Sequence, residues 1–175
     1  MQLANAKSLI GNYPDSLPLM TLGNLSYGKG VQGVVPGGVC EGIKAVDFDS
    51  LVREWYKSRC KKTVKSADAF YEHSHEVYLI EFKNGSCDMY TMQRKIYDSV
   101  IALVERGGWS YSRARDQITA ILVHDINDVP VAKNTPDDFR SLAGYMVKEC
   151  YYLTPQGLED LARQRSWQED NENFG

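Results

Sequence analysis

The sequence has none of the features of a zinc ribbon, a membrane span or a secretory leader. Its four cysteines, Cys40, Cys60, Cys87 and Cys150, include no C-x-x-C pair, the ligand spacing typical of structural zinc sites. No apolar run approaches the roughly 18 residues that a membrane helix requires. Residues 1–10 are too polar for a signal peptide. We therefore expect a cytoplasmic protein with free thiols and no membrane partner.

The chain also lacks a strong excess of charge of either sign. Its 175 residues include 20 lysines and arginines and 23 aspartates and glutamates, for a net charge of −3. Hydrophobic residues make up 43% of the chain and aromatic residues 11%, which excludes disordered, collagen-like and coiled-coil proteins. A surface for nucleic acid must therefore be a local basic patch.

Hydrophobic periodicity predicts an α/β fold, a mixed β-sheet with flanking helices. We predict helices over 47–62, 90–105, 136–150 and 154–166, and strands over 66–73, 76–85 and 118–126. The first two strands form a hairpin across the polar residues His73, Ser74 and His75. The strand at 118–126 is apolar almost throughout, which predicts burial of both its faces.

Composition divides the chain into three parts, a Gly- and Pro-rich segment at 1–45, an α/β domain at 46–166 and an acidic polar tail at 167–175. Glycines crowd the stretch from Gly23 to Gly42, but no phosphate-binding motif is present. A turn-rich loop, or short strands joined by tight turns, is expected there. We expect the tail to be frayed from Trp167 onward.

Two carboxylates and a lysine are predicted to converge at the end of the hairpin. Side chains two apart on a strand point the same way, so Glu81 and Lys83 share a face of the second strand. Asp68 lies on the preceding strand, within reach across the hairpin. Carboxylates with a lysine beside them can hold Mg²⁺ and assist hydrolysis of a phosphodiester.

This pattern resembles the signature of the PD-(D/E)XK nucleases, which is an Asp followed by Glu-x-Lys on hydrophobic strands. The resemblance implies a restriction-endonuclease-like core and a Mg²⁺ or Mn²⁺ ion held by Asp68, Glu81 and the Phe82 carbonyl. It also implies that Lys83 assists hydrolysis. Some members add a metal-proximal glutamate from a preceding helix, for which Glu54 is the candidate here.

The resemblance extends to the helix after the hairpin and to the buried strand that follows it. The recombination-exonuclease branch of the family often carries Q-x-x-x-Y on that helix, and Gln93 and Tyr97 fit this pattern. The resemblance implies that these two residues steady the site or a phosphate of the substrate. Many nucleases of this type also pair as homodimers to cut two strands.

Local charge points to DNA as the partner. Basic residues crowd the stretch just before Asp68, and a basic surface can bind a polyanion even on a net acidic protein. From this stretch and the following helix, the predicted contacts to nucleic acid are Lys61, Lys62, Lys65 and Lys95, together with Gln93 and Tyr97.

Each of these residues also has a purely structural interpretation. Glu81 and Lys83 can form a solvent-exposed ion pair, Gln93 and Tyr97 can serve helix packing, and the basic run can be a solvated face.

Two hypotheses other than a nuclease therefore remain open. One is a catalytically inactive nuclease-like binding module of a mobile-element or defence system. The other is an α/β protein without nuclease ancestry, which Asp68 and Glu81 on opposite sheet faces would favour.

Overall fold

The computed structural model describes residues 18–28, 38–57, 64–125 and 136–167. Within these ranges the chain forms six strands and seven helices. In chain order they are β1 (Leu19–Thr21), α1 (Leu22–Gly28), α2 (Val39–Gly42), β2 (Lys44–Asp47), α3 (Phe48–Tyr56), β3 (Ala69–His73), β4 (Glu76–Asn84), α4 (Met89–Glu105), α5 (Tyr111–Gln117), β5 (Ile118–Asp125), α6 (Asp137–Arg140), β6 (Glu149–Leu153) and α7 (Pro155–Gln164).

β3 and β4 form the hairpin that the sequence predicts. Its two turn residues, Ser74 and His75, have φ angles of 49° and 72°. Two positive φ angles are typical of the tight turns whose twist matches that of the flanking strands. His73 therefore pairs with Glu76 and Ala69 with Ile80, and this register decides which side chains meet across the hairpin.

The sheet has an antiparallel half and a parallel half that meet at β4. In the part of the chain that the structure describes, the strand order is β1-β2-β3-β4-β5-β6. β1 to β4 pair antiparallel in turn, whereas β4, β5 and β6 run parallel. β5 is buried on both faces from Ile118 to His124, as its apolar sequence predicts. The predicted α/β fold with a mixed sheet and flanking helices is confirmed.

Helices cover both faces of the sheet. On one face, which we call the α4 face, Leu79 of β4 belongs to the same core as Ile96 of α4. On the opposite face, Ile80 shares a core with Leu22 of α1 and Leu158 of α7. The period-two alternation of a strand therefore places Glu81, two residues after Leu79, on the α4 face.

Side-chain caps start three of the helices near the positions that the sequence predicts. Asp47 accepts a hydrogen bond from the Ser50 amide at the start of α3, at 3.0 Å. Asp88 accepts from the amides of the first turn of α4, and Thr154 caps α7, with Pro155 as its first residue. Such caps satisfy amide groups that have no partner within the helix.

The predicted helix over 136–150 is wrong. Only Asp137–Arg140 is helical, and Glu149–Leu153 forms strand β6 beside β5. Gly144 between them has a φ of +75°, which a right-handed helix does not accommodate. The tyrosines of β6 also favour an extended backbone that packs on a neighbouring strand.

The two ends of the described chain are more ordered than the sequence predicts. Of the alternatives for residues 1–45, short strands are present, because β1 and β2 extend the sheet and β2 crosses the predicted boundary at residue 45. Trp167, predicted to begin a frayed tail, is instead 3% exposed. Within the described ranges no helix is both long and apolar enough to cross a membrane.

A buried glutamate ties α7 to α2, and its replacement is expected to destabilise the protein. Glu159 is fully buried and accepts hydrogen bonds from the amides of Val39, at 2.5 Å, and Cys40, at 3.0 Å. A glutamine at this position has one carbonyl oxygen for two donors, so we expect Glu159→Gln to lower the free energy of unfolding by about 1–3 kcal/mol.

Urea unfolding measures this loss. Asp160→Asn is the matched control, because Asp160 is exposed and bonds only locally to Gln156 among the contacts seen; it should change stability by less than about 0.5 kcal/mol. Equal stability of Glu159→Gln and the unmodified protein would contradict the capping role.

Candidate metal centre

Asp68 and Glu81 lie next to each other on the α4 face of the hairpin. Ala69 pairs with Ile80, so the next position in the antiparallel register brings Asp68 opposite Glu81. The two residues are 1% and 3% exposed, respectively. Oδ2 of Asp68 accepts a hydrogen bond from the Phe82 amide at 2.8 Å, which fixes the Asp68 side chain against β4.

Lys95 of α4 brings a positive charge to both carboxylates. Its Nζ forms an ion pair with Oε1 of Glu81 and lies 3.8 Å from Oδ1 of Asp68. The Lys95 side chain is 21% exposed, whereas both carboxylates are nearly inaccessible. Buried carboxylates require such compensation, because the removal of charge from water is costly.

The segment before β3 is fastened to both α3 and α4. Ser99 is fully buried, and its hydroxyl accepts a hydrogen bond from the Ala67 amide at 2.8 Å and donates to the Lys95 carbonyl at 2.7 Å. The Asp68 carbonyl accepts from the Phe48 amide at 3.1 Å. Asp68 is therefore held by the backbone on either side and by its own carboxylate.

A second group of polar residues lies at the carboxyl ends of β4 and β5. Lys83 pairs in register with His124. His124 donates from Nε2 to the Gly85 carbonyl at 2.5 Å, while its Nδ1 accepts from the Tyr152 hydroxyl. Both ring nitrogens are thus engaged, so His124 serves as a structural histidine that joins β5 to β6 and to the turn after β4.

The pKa of the Cys87 thiol depends on burial and on the charges around it. This pKa is raised to about 11, mainly by burial. The charge of Lys83 lowers this pKa, whereas the charges of Glu81 and Asp88 raise it. By strand alternation, Lys83 lies on the same face of β4 as Glu81. Lys83 itself is partly exposed.

The structure does not bring every predicted site residue to the carboxylates. Glu54 is exposed on α3, and its carboxylate lies 3.6 Å from Lys57. Gln93 donates to the Asp138 carbonyl and to the Ser141 hydroxyl, and so joins α4 to the region of α6. Tyr97 is half-buried and packs against the core of the α4 face.

The predicted basic contacts separate into different environments. Lys65 is exposed, and its charge lowers the pKa of Asp88, after stronger effects of hydrogen bonds from Thr91. The Lys95 ammonium, which is predicted to contact DNA, is directed to Glu81 and Asp68. Lys61 and Lys62 lie outside the described residues.

The donor set at the hairpin suits a hard divalent cation. Mg²⁺ prefers carboxylate and carbonyl oxygens, needs only one or two carboxylates from the protein and keeps several waters. Two carboxylates share this place, and the structure already has a positive group between them, the Lys95 ammonium. Across the described ranges, no group of three or more His, Cys, Asp or Glu side chains is arranged to hold a metal, so a cation here would rely on these two.

Lys95 and Ser99 are the residues of this centre that the sequence did not assign to it. Their positions on the helix could have indicated this role. Met92, Ile96 and Val100 form the buried stripe of α4, and both residues lie beside that stripe. A lysine so placed requires a nearby carboxylate.

Comparisons with known proteins give no family for this chain. No protein-family model, no curated protein and no solved structure matches it. Its function has therefore to be argued from the site.

Proposed function

We propose that this protein is a metal-dependent phosphodiesterase, a nuclease that acts on DNA. The observation that carries the proposal is the pair of buried carboxylates, Asp68 just before β3 and Glu81 on β4, which both lie near the Lys95 ammonium. The hairpin, α4 and β5 also follow the order of elements that the PD-(D/E)XK resemblance implies, which supports a restriction-endonuclease-like core.

The residues take the following roles in this proposal. Asp68, Glu81 and the Phe82 carbonyl would hold Mg²⁺ or Mn²⁺, which supplies Lewis-acid stabilisation of charge on the phosphate. Lys83 lies beyond Glu81 on the same strand face, where its ammonium orients the attacking water and offsets negative charge on the phosphate. The Phe82 amide holds Asp68 in place through its hydrogen bond.

Two exposed or partly exposed lysines support DNA as the substrate. Lys65 is exposed, and Lys83, on the same strand as Glu81, is partly exposed. Phosphates attract such residues even when the protein as a whole is acidic.

Cys40, Cys87 and Cys150 are free thiols, which fits the cytoplasm that the sequence predicts.

A cleavage assay tests the proposal. Linear, circular and branched DNA is incubated with the protein in Mg²⁺, in Mn²⁺ and in chelator. We expect cutting only with a metal, and we expect Glu81→Ala to lose it by about 10²-fold or more because a ligand and its charge are removed.

The matched control is Glu105→Ala, which removes an exposed carboxylate from the far end of α4 and should cut as the unmodified protein does. Cutting that survives Glu81→Ala unchanged would contradict the assignment. Sedimentation of the protein at several salt concentrations, with and without DNA, shows whether two copies form a homodimer.

A second candidate is an inactive binding module of a mobile-element or defence system. The placement of Lys95 favours it, because an ammonium already neutralises part of the charge that would attract a metal. Glu54 also does not join the carboxylates. Calorimetry with Mn²⁺ separates the candidates, since an inactive module shows no Asp68-dependent binding and keeps its partner when Asp68 is changed to Ala.

A further inference from the structure

Lys95 is a charged residue at the edge of the buried stripe of a helix. Its neighbours one turn away on α4 include Ser99, and its side chain is only 21% exposed. Arg94, the next residue in the chain, instead has a side chain that is 60% exposed and pairs with Asp98 on the same helix at 3.7 Å. The contrast shows that Lys95 is directed specifically to the hairpin carboxylates.

We propose that Lys95 positions the Asp68 and Glu81 carboxylates in the metal-free protein, and that a divalent cation displaces its ammonium on binding. This inference rests on the proposed function, because it concerns the same site. The ammonium contacts Glu81 and lies 3.8 Å from Asp68, so it holds together two side chains that would otherwise repel each other.

The same geometry makes the ammonium a competitor of the metal. A divalent cation that shares both carboxylates with Lys95 meets a like charge within a few ångströms, and at partly buried sites such repulsion is strong. Lysine has a flexible four-carbon stem with a strongly hydrated head. Because the Lys95 side chain is 21% exposed, its flexible stem can turn the ammonium toward solvent without a change in the sheet.

Opposite effects on stability and on metal affinity distinguish this role from a merely structural one. Removal of the charge takes one positive group away from two buried carboxylates, which destabilises the metal-free protein. It also removes the competitor, which strengthens metal binding. A substitution that only disturbed packing would lower both the stability and the metal affinity.

The experiment measures Mn²⁺ affinity by calorimetry and thermal unfolding with and without Mn²⁺, for the unmodified protein and for Lys95→Gln. We expect Lys95→Gln to bind Mn²⁺ about tenfold more tightly, to unfold at least about 5 °C lower without metal, and to gain more from added Mn²⁺. Arg94→Gln is the matched control for the loss of one positive charge on the same helix and should change neither quantity. Lys95→Arg restores the charge and should return both quantities toward those of the unmodified protein.

The outcomes separate this inference from the proposed function. If the unmodified protein binds Mn²⁺ and Lys95→Gln binds it equally or more weakly, the inference fails and the metal-dependent function stands. If neither protein binds Mn²⁺, both fail. Binding that appears only in Lys95→Gln would contradict displacement of the ammonium by the metal, and it would also contradict metal-dependent function of the unmodified protein. If Lys95→Gln does not fold, Lys95→Met, which is closer in length and shape, is measured in its place with the same expectations.

Discussion

Asp68→Asn is expected to lower the rate of metal-dependent cleavage strongly while the fold is retained. Asparagine has nearly the shape of aspartate and keeps an oxygen that can accept the hydrogen bond from the Phe82 amide, now at 2.8 Å. What it loses is the negative charge beside Glu81 and Lys95. We expect the rate of DNA cleavage in Mn²⁺ to fall by about 10²–10³-fold, the size of effect seen when one electrostatic group of a site is removed.

Cleavage kinetics and Mn²⁺ calorimetry on the same preparation measure this change. Circular dichroism and the midpoint of thermal unfolding establish that the variant is folded. Asp116→Asn is the matched control, since Asp116 is an exposed carboxylate on α5 with a side chain that is 70% exposed. Asp68→Asn protein that cuts DNA and binds Mn²⁺ like the unmodified protein would show that Asp68 is no ligand.

The meeting of Asp68 and Glu81 could be predicted because it depends on local rules. A two-residue turn fixes the register of a hairpin, and the alternation of side chains then fixes the face. His73 pairs with Glu76 and Ala69 with Ile80, and the position just before β3 then places Asp68 opposite Glu81. Both carboxylates also approach Lys95, so the arrangement on opposite sheet faces that would favour an α/β protein without nuclease ancestry is not observed.

The approach of Lys95 could not be predicted in the same way. Its position depends on how α4 is rotated above the sheet, which the loop after β4 and the packing of the whole α4 face determine together. The sequence shows a lysine among basic neighbours, and its exposure differs from that of Arg94 only after the helix is docked. Long-range placement of this kind lies beyond patterns of spacing.

The errors in the fold have similar causes. β6 follows a stretch whose apolar residues, such as Phe139 and Leu142, have helical spacing, and only the left-handed Gly144 and the pairing with β5 make the next segment extended. β1 and β2 are three and four residues long. Strands so short gain stability from the sheet that they join rather than from their own sequence.

Trp167→Ala is expected to destabilise the protein strongly, although the sequence predicts that this residue lies in a frayed tail. The indole is 3% exposed on the sheet face opposite α4. Its ring centroid lies 4.8 Å from that of Tyr71 and 4.6 Å from that of Tyr78. The backbone amide of Trp167 donates to the Ala162 carbonyl at 2.8 Å. We expect the free energy of unfolding to fall by about 3–5 kcal/mol because a large aromatic side chain leaves a cavity in the core.

Urea unfolding followed by circular dichroism measures the effect without relying on tryptophan fluorescence. The control is Tyr145→Ala, which removes an aromatic side chain that is 72% exposed and should cost less than about 0.5 kcal/mol. Trp167→Phe tests the cause, since it keeps an aromatic ring against Tyr71 and Tyr78 and should recover a large part of the loss. A Trp167→Ala protein as stable as the control would mean that the end of the chain contributes nothing to this core. Because Trp167 packs on the face away from Asp68 and Glu81, Mn²⁺ binding by the folded fraction of either Trp167 variant should stay unchanged.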